Sequence, residues 1–171
     1  MSDRSKISVA LYDSGVCIRV DGAGTVAESP VMHAFADQVL SGPLGKVLID
    51  LGGCTYLDST FLGGLVSLFK RHAGAPGDEG DRFAIFAPAP TRQSLFGTSR
   101  LDRVLPFVDE LPATCGECLP LESHVSASRE DLAQYVIDCH RRLAELGGPE
   151  AETFGRVADA IADEITVRRP T

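Results

Sequence analysis

The chain has 171 residues, 44% of them hydrophobic and 23% charged, which is the composition of a folded protein rather than a disordered one. Acidic residues outnumber basic ones by 24 to 16, and the formal net charge of −8 argues against broad nucleic-acid or anionic-membrane binding, which needs clustered Lys and Arg. With no Trp and only 6% aromatic residues, the core is expected to be mostly aliphatic. No uncharged apolar run approaches the roughly 18 residues of a membrane span. The polar start, Met1 to Lys6, lacks the apolar core of a signal peptide. Five cysteines, an odd number, then read as reduced thiols, and a cytoplasmic location is expected.

Ile7, Val9 and Leu11 alternate with polar or small neighbours, and so do Val16, Ile18 and Val20. With Asp13-Ser14-Gly15 between them, residues 7–21 read as a β-hairpin. Val31, Phe35, Val39 and Leu40 follow helical spacing from Pro30, with Ser29 expected as N-cap and Gly42-Pro43 as the stop. Residues 46–51 form a nearly continuous apolar run, which suits a strand covered on both faces. Leu62, Leu65, Val66 and Phe69 give a second helix ending at His72. After a Gly/Asp-rich loop, residues 83–87 read as another buried strand, Leu95 and Phe96 as part of a short helix, and residues 104–108 as an edge strand, since Pro106 cannot donate to a ladder.

This order predicts an α/β fold, a mixed sheet of four to five strands with helices packed on it, over residues 1–112. Residues 113–127, rich in Cys, Pro and Gly, read as a linker. Residues 128–171 read as a helical hairpin. Ser128 caps the first helix, with Asp131 as a weak capping-box partner, and Leu132, Tyr135, Val136, Cys139, Leu143 and Leu146 line it. Gly147-Gly148-Pro149 stops and restarts the chain, and Phe154, Val157, Ile161 and Ile165 stripe the second helix. Two amphipathic helices must bury their stripes on the domain, on a second copy in a homodimer, or on a partner.

The informative stretch runs from Lys46 to Leu65: a buried strand, a short loop, and a helix opening at Asp58-Ser59-Thr60. On physical grounds this is first a well-capped helix, because an Asp or Ser oxygen satisfies an orphan N–H. A hydroxyl at a helix N-terminus is also well placed to carry a phosphate, which the free N–H groups and the dipole stabilise.

Tyr56-Leu57-Asp58-Ser59-Thr60, followed by Leu62, Gly63, Gly64 and Leu65, resembles the signature of the STAS domain of anti-sigma-factor antagonists and sulfate-transporter tails. Flanking likenesses at residues 15–22, 87–88, 92–95 and 101–106 extend it over about residues 7–110. The resemblance implies a STAS-like fold and a non-enzymatic regulatory module that binds an anti-sigma factor or related serine kinase. It implies phosphorylation at Ser59, with Thr60 the alternative, and a partner surface of Asp58, Ser59, Thr60, Phe61, Leu62 and Gly63. A phosphate beside Asp58 is expected to weaken that binding by repulsion and desolvation. The family often has Gly where Phe61 stands, so the ring is expected to crowd Ser59 or to offer a partner an apolar anchor. The alternatives are a non-phosphorylated STAS scaffold or transport-accessory module and, less favoured, a thiol redox or zinc protein using Cys115 and Cys118.

Cys115-Gly-Glu-Cys118 has no second Cys-x-x-Cys to complete a zinc module, and His124 and Cys139-His140 match no standard spacing. Gly22-Ala-Gly24 lacks the third Gly of a dinucleotide fingerprint. Gly63-Gly64 within a helix predicts close packing or the approach of a partner. Asp50 reads as a strand-end group rather than a general acid. No catalytic residue, cofactor or metal site is assigned.

Overall fold

The computed structural model describes residues 6–12, 15–42, 45–72, 82–122 and 128–168. The alternating start forms the expected hairpin: β1 (Lys6–Tyr12) pairs antiparallel with β2 (Gly15–Gly24), from Lys6 opposite Asp21 to Tyr12 opposite Gly15. Helix α1 (Ser29–Ser41) follows, with Pro30 in its first turn. Ser29 is not the cap expected of it, because the helix opens one residue earlier, after Glu28. The Thr25 amide and hydroxyl both donate to Glu28 Oε2, at 2.9 and 2.7 Å, which closes the turn that leads into α1. Ser29 is thereby turned into the interior.

The apolar run becomes β3 (Val47–Asp50), whose four residues are all buried between β2 and β5 (Phe83–Phe86) in parallel pairing. Between β3 and helix α2 (Ser59–His72) lies a strand the sequence reading took for loop, β4 (Cys54–Leu57), paired with the far end of β2. After β5 come α3 (Ala89–Phe96), a 3-10 turn at Leu101–Arg103 and the edge strand β6 (Phe107–Val108). That edge strand is shorter than expected because the Val104 and Leu105 amides both return to the Leu101 carbonyl.

A second correction concerns the stretch read as linker over 113–127. Within it, β7 (Thr114–Pro120) pairs antiparallel with β1. The described residues thus form a seven-stranded sheet in the order β6-β5-β3-β2-β1-β7, with β4 beside β2, rather than four to five strands. Strand β4 is only four residues long and directly follows Gly52-Gly53, whereas β7 holds Gly116 and Pro120, residue types depleted in strands.

The core is aliphatic where sheet meets helices: Ile18, Val20, Ile49 and Ile85 pack with Met32 and Leu40 of α1 and with Leu65 and Leu68 of α2. Three rings, Phe61, Phe83 and Phe96, complete it. Full burial of each such side chain contributes about 1.5–3 kcal/mol.

The C-terminal helices are α4 (Arg129–Glu145) and α5 (Ala151–Arg168). Ser128 Oγ accepts the Asp131 amide at 3.0 Å, the expected cap. Gly147 and Gly148 take φ of 73° and 90°, a reversal that favours glycine. Helix α4 lies between α2 and α5, so it buries two faces rather than one stripe. Ile137 and His140 are therefore buried, while Leu132, placed on the stripe by spacing, is exposed. In α5 it is Ala158, not Val157, that is fully buried. The hairpin thus packs on its own domain.

Candidate functional site

Asp58 joins two elements before it does anything else. Its Oδ1 accepts the Phe61 amide at 2.8 Å, the N-cap of α2, and its Oδ2 accepts the Val26 amide at 2.8 Å. Its own amide donates to the Gly24 carbonyl at 3.0 Å. One carboxylate therefore fixes the start of α2 against the loop between β2 and α1, and satisfies two buried-side donors in doing so.

Ser59 is the first residue of α2 and is half-buried. Its Oγ lies 2.9 Å from Nε2 of His140 on α4. His140 Nδ1 is 2.8 Å from the Val136 carbonyl. A carbonyl only accepts, so Nδ1 carries the proton, and in the neutral ring Nε2 accepts from the Ser59 hydroxyl. His140 is buried, with its ring edge-on to Phe154 at 6.0 Å between centroids.

The rest of the expected partner surface is not at the surface in this chain. Thr60, Phe61, Leu62 and Gly63 are all buried. Phe61 turns into the core against Gly24, so it neither crowds Ser59 nor presents an anchor. Helix α4 covers the glycine face of α2. A Cβ on Gly63 would sit 2.7 Å from Cys139 Cβ, and one on Gly64 would sit 2.7 Å from Tyr135 Oη. Only residues without side chains let the helices approach this closely. The contact is pinned at its edge by the Tyr135 and Ser29 hydroxyls, 2.7 Å apart. Burial pushes the Tyr135 phenol up, and it pushes the Cys139 thiol up to about 12.

Sequence reasoning weighed His140 only as a metal ligand, and it gave Tyr135 and Ser29 no place in the site. The Gly63-Gly64 pair was the available signal, since it required a close neighbour. Which element would supply that neighbour is not written in local spacing.

The discounted residues take structural places. Asp50 is buried, and it accepts Arg19 Nε at 3.1 Å and the Gly52 amide at 2.8 Å. His72 Nε2 lies 2.7 Å from Asp37 Oδ1. Cys118 is an exposed thiol on β7, whereas the side chain of Cys115 and all of His124 lie outside the described residues. Among the described residues no cluster of three potential metal ligands occurs, and no helix is long and apolar enough to cross a membrane.

A family profile described as "Mlab, STAS domain" matches residues 7–108, from β1 through β6. Two solved structures share the fold. One is an anti-sigma factor antagonist from Mycobacterium paratuberculosis, with TM-score 0.52 and 19% identity, covering 65% of this chain and 91% of the other. The second is a putative anti-sigma factor antagonist from Thermotoga maritima, with TM-score 0.50 and 18% identity, covering 60% and 86%. No curated protein matches by sequence. The chain belongs to the STAS domain family. The matched residues end before β7 and the hairpin, so the element that covers α2 lies outside the part that defines the family.

Proposed function

We propose that this chain is a non-enzymatic, protein-binding regulatory module of the anti-sigma-factor-antagonist type, acting at the N-terminal end of α2. Its partner is an anti-sigma factor or a related serine kinase, and phosphorylation of Ser59 switches the interaction. The carrying observation is the placement of Ser59: half-buried, first in α2, and backed by an Asp58 that caps the helix with one oxygen and holds the Val26 amide with the other. A phosphate there meets the positive end of the helix dipole and adds nearly two negative charges to a fixed position.

A second reading, a STAS scaffold or transport-accessory module that is never phosphorylated, draws on the Ser59–His140 bond, which already engages the hydroxyl. Mass spectrometry of the protein isolated from its own cells separates the two. Phosphate on Ser59, with different affinities of Ser59 and phosphoserine forms for the host's anti-sigma factors, is the expected result. Absence of phosphate from residues 58–60 under every growth condition, together with equal affinities, defeats the switch and favours the scaffold.

A further inference from the structure

We infer that the C-terminal hairpin is a releasable cover over α2, and that phosphorylation of Ser59 is what loosens it. This rests on the reading of Ser59 as the modified residue, and adds what the modification first acts upon. The bond that ties Ser59 to the domain's cover is with His140 of the same chain. Phosphorylation by a nucleoside-triphosphate-dependent kinase forms the Oγ–P bond, breaks the bond from the γ-phosphorus to the nucleoside diphosphate, and releases the hydroxyl proton to water. The donor that His140 Nε2 relied on is then gone. Phosphorus and three oxygens must be accommodated where the ring nitrogen now stands 2.9 Å from Oγ.

The ring has little freedom to yield. It is buried, held through Nδ1 by Val136 and edge-on by Phe154. The backbone beside it, at Cys139, is seated against Gly63 with no room for even a methyl group. If the phosphate instead turns outward, the buried Nε2 is left without a donor. Both routes weaken the docking of α4. Loosening α4 bares Gly63, Gly64 and Tyr135. The sign of the switch is then set by uncovering α2 rather than by repulsion at the partner.

The test uses the full chain with phosphoserine installed at position 59 during synthesis, so it does not depend on any kinase. A thiol-alkylating reagent is applied and the labelled peptides are identified by mass. Cys139 lies under the hairpin contact, while Cys17 and Cys54 are buried in the sheet and report opening of the domain. Expected is labelling of Cys139 about tenfold faster or more in the phosphorylated chain, with Cys17 and Cys54 unchanged. Equal protection of Cys139 in both forms overturns the inference, since it means that the phosphate is accommodated without loosening α4. Parallel exposure of Cys17 and Cys54 overturns it too, since the whole domain then opens. Failure here leaves Ser59 modification in cells standing, whereas absence of phosphate in cells removes that modification without touching this result.

Discussion

The Ser59 hydroxyl and the imidazole of His140 meet at 2.9 Å although 81 positions separate them in the chain. Ser59 belongs to the part of the fold that defines the family, and His140 to the helical hairpin added after it. The bond therefore joins the candidate site to an element that the family profile does not include. In the neutral ring its geometry is one-directional: the Val136 carbonyl fixes the tautomer, and the Ser59 hydroxyl donates to Nε2.

That directionality gives a measurable coupling. Ser59→Ala leaves His140 Nε2 without a donor in a buried place, and should cost about 1–2 kcal/mol of stability. His140→Ala should cost more, since it also leaves a cavity beside Phe154. A double-mutant cycle by urea denaturation should return a coupling of about 0.5–1.5 kcal/mol. Strict additivity would show that the two side chains do not interact in solution.

Gly63→Ala tests the helix contact itself. The new methyl meets Cys139 across the α2–α4 contact, where neither backbone has slack. Overpacking of this kind costs about 1–3 kcal/mol. The expected result is faster alkylation of Cys139 and a lower denaturation midpoint, with the sheet intact by circular dichroism. A variant as stable and as protected as the parent would mean that α4 does not sit on Gly63.

Much of this architecture is legible in the sequence, and the illegible parts share a cause. The hairpin of β1 and β2, the buried strands β3 and β5, and the capped start of α4 carry their own periodicity or capping chemistry. β4 does not: only its end residues Cys54 and Leu57 are buried, which leaves no alternation to read. β7 is a strand because β1 offers it an edge, and its Cys-Gly-Glu-Cys composition reads as a turn. Phe61 looks like a surface feature from its place beside Ser59, yet helix geometry turns it to the core. His140 and Tyr135 matter through residues on other elements, and no local pattern records such pairings.

Asp58 should prove mainly structural. Asp58→Ala orphans the amides of Phe61 and Val26 together, so the loss is expected to exceed the roughly 1 kcal/mol of a single cap. Asp58→Asn keeps one acceptor oxygen and should fall between the two in thermal denaturation. If Asp58→Ala melts like the parent, the carboxylate is not holding α2 to the loop before α1, and a role reserved for a partner becomes the better account.

The buried thiols set a pH dependence. Burial, with the nearby Asp50 charge second, pushes Cys17 from its ordinary 9.0 up to about 11. Burial likewise raises Cys139 from 9.0 to about 12 and raises the Tyr135 phenol. Below about pH 9 these thiols are protonated both folded and unfolded, and pH does not act on stability through them. Above that, the unfolded chain loses the protons first and is favoured. Stability should therefore fall as pH rises from about 9 toward the folded values, by about 1.4 kcal/mol per pH unit for each group that titrates only when unfolded. Urea denaturation at about pH 8, 9, 10 and 10.5 measures the slope, and Cys139→Ala should make it shallower by one group's share. Since Cys139 sits on α4 where it meets Gly63 of α2, and Cys17 sits within β2, comparing Cys139→Ala with Cys17→Ala also separates the hairpin from the domain. A flat profile above pH 9 would mean that these thiols are hydrated in the folded chain, and that α4 does not seal the face of α2.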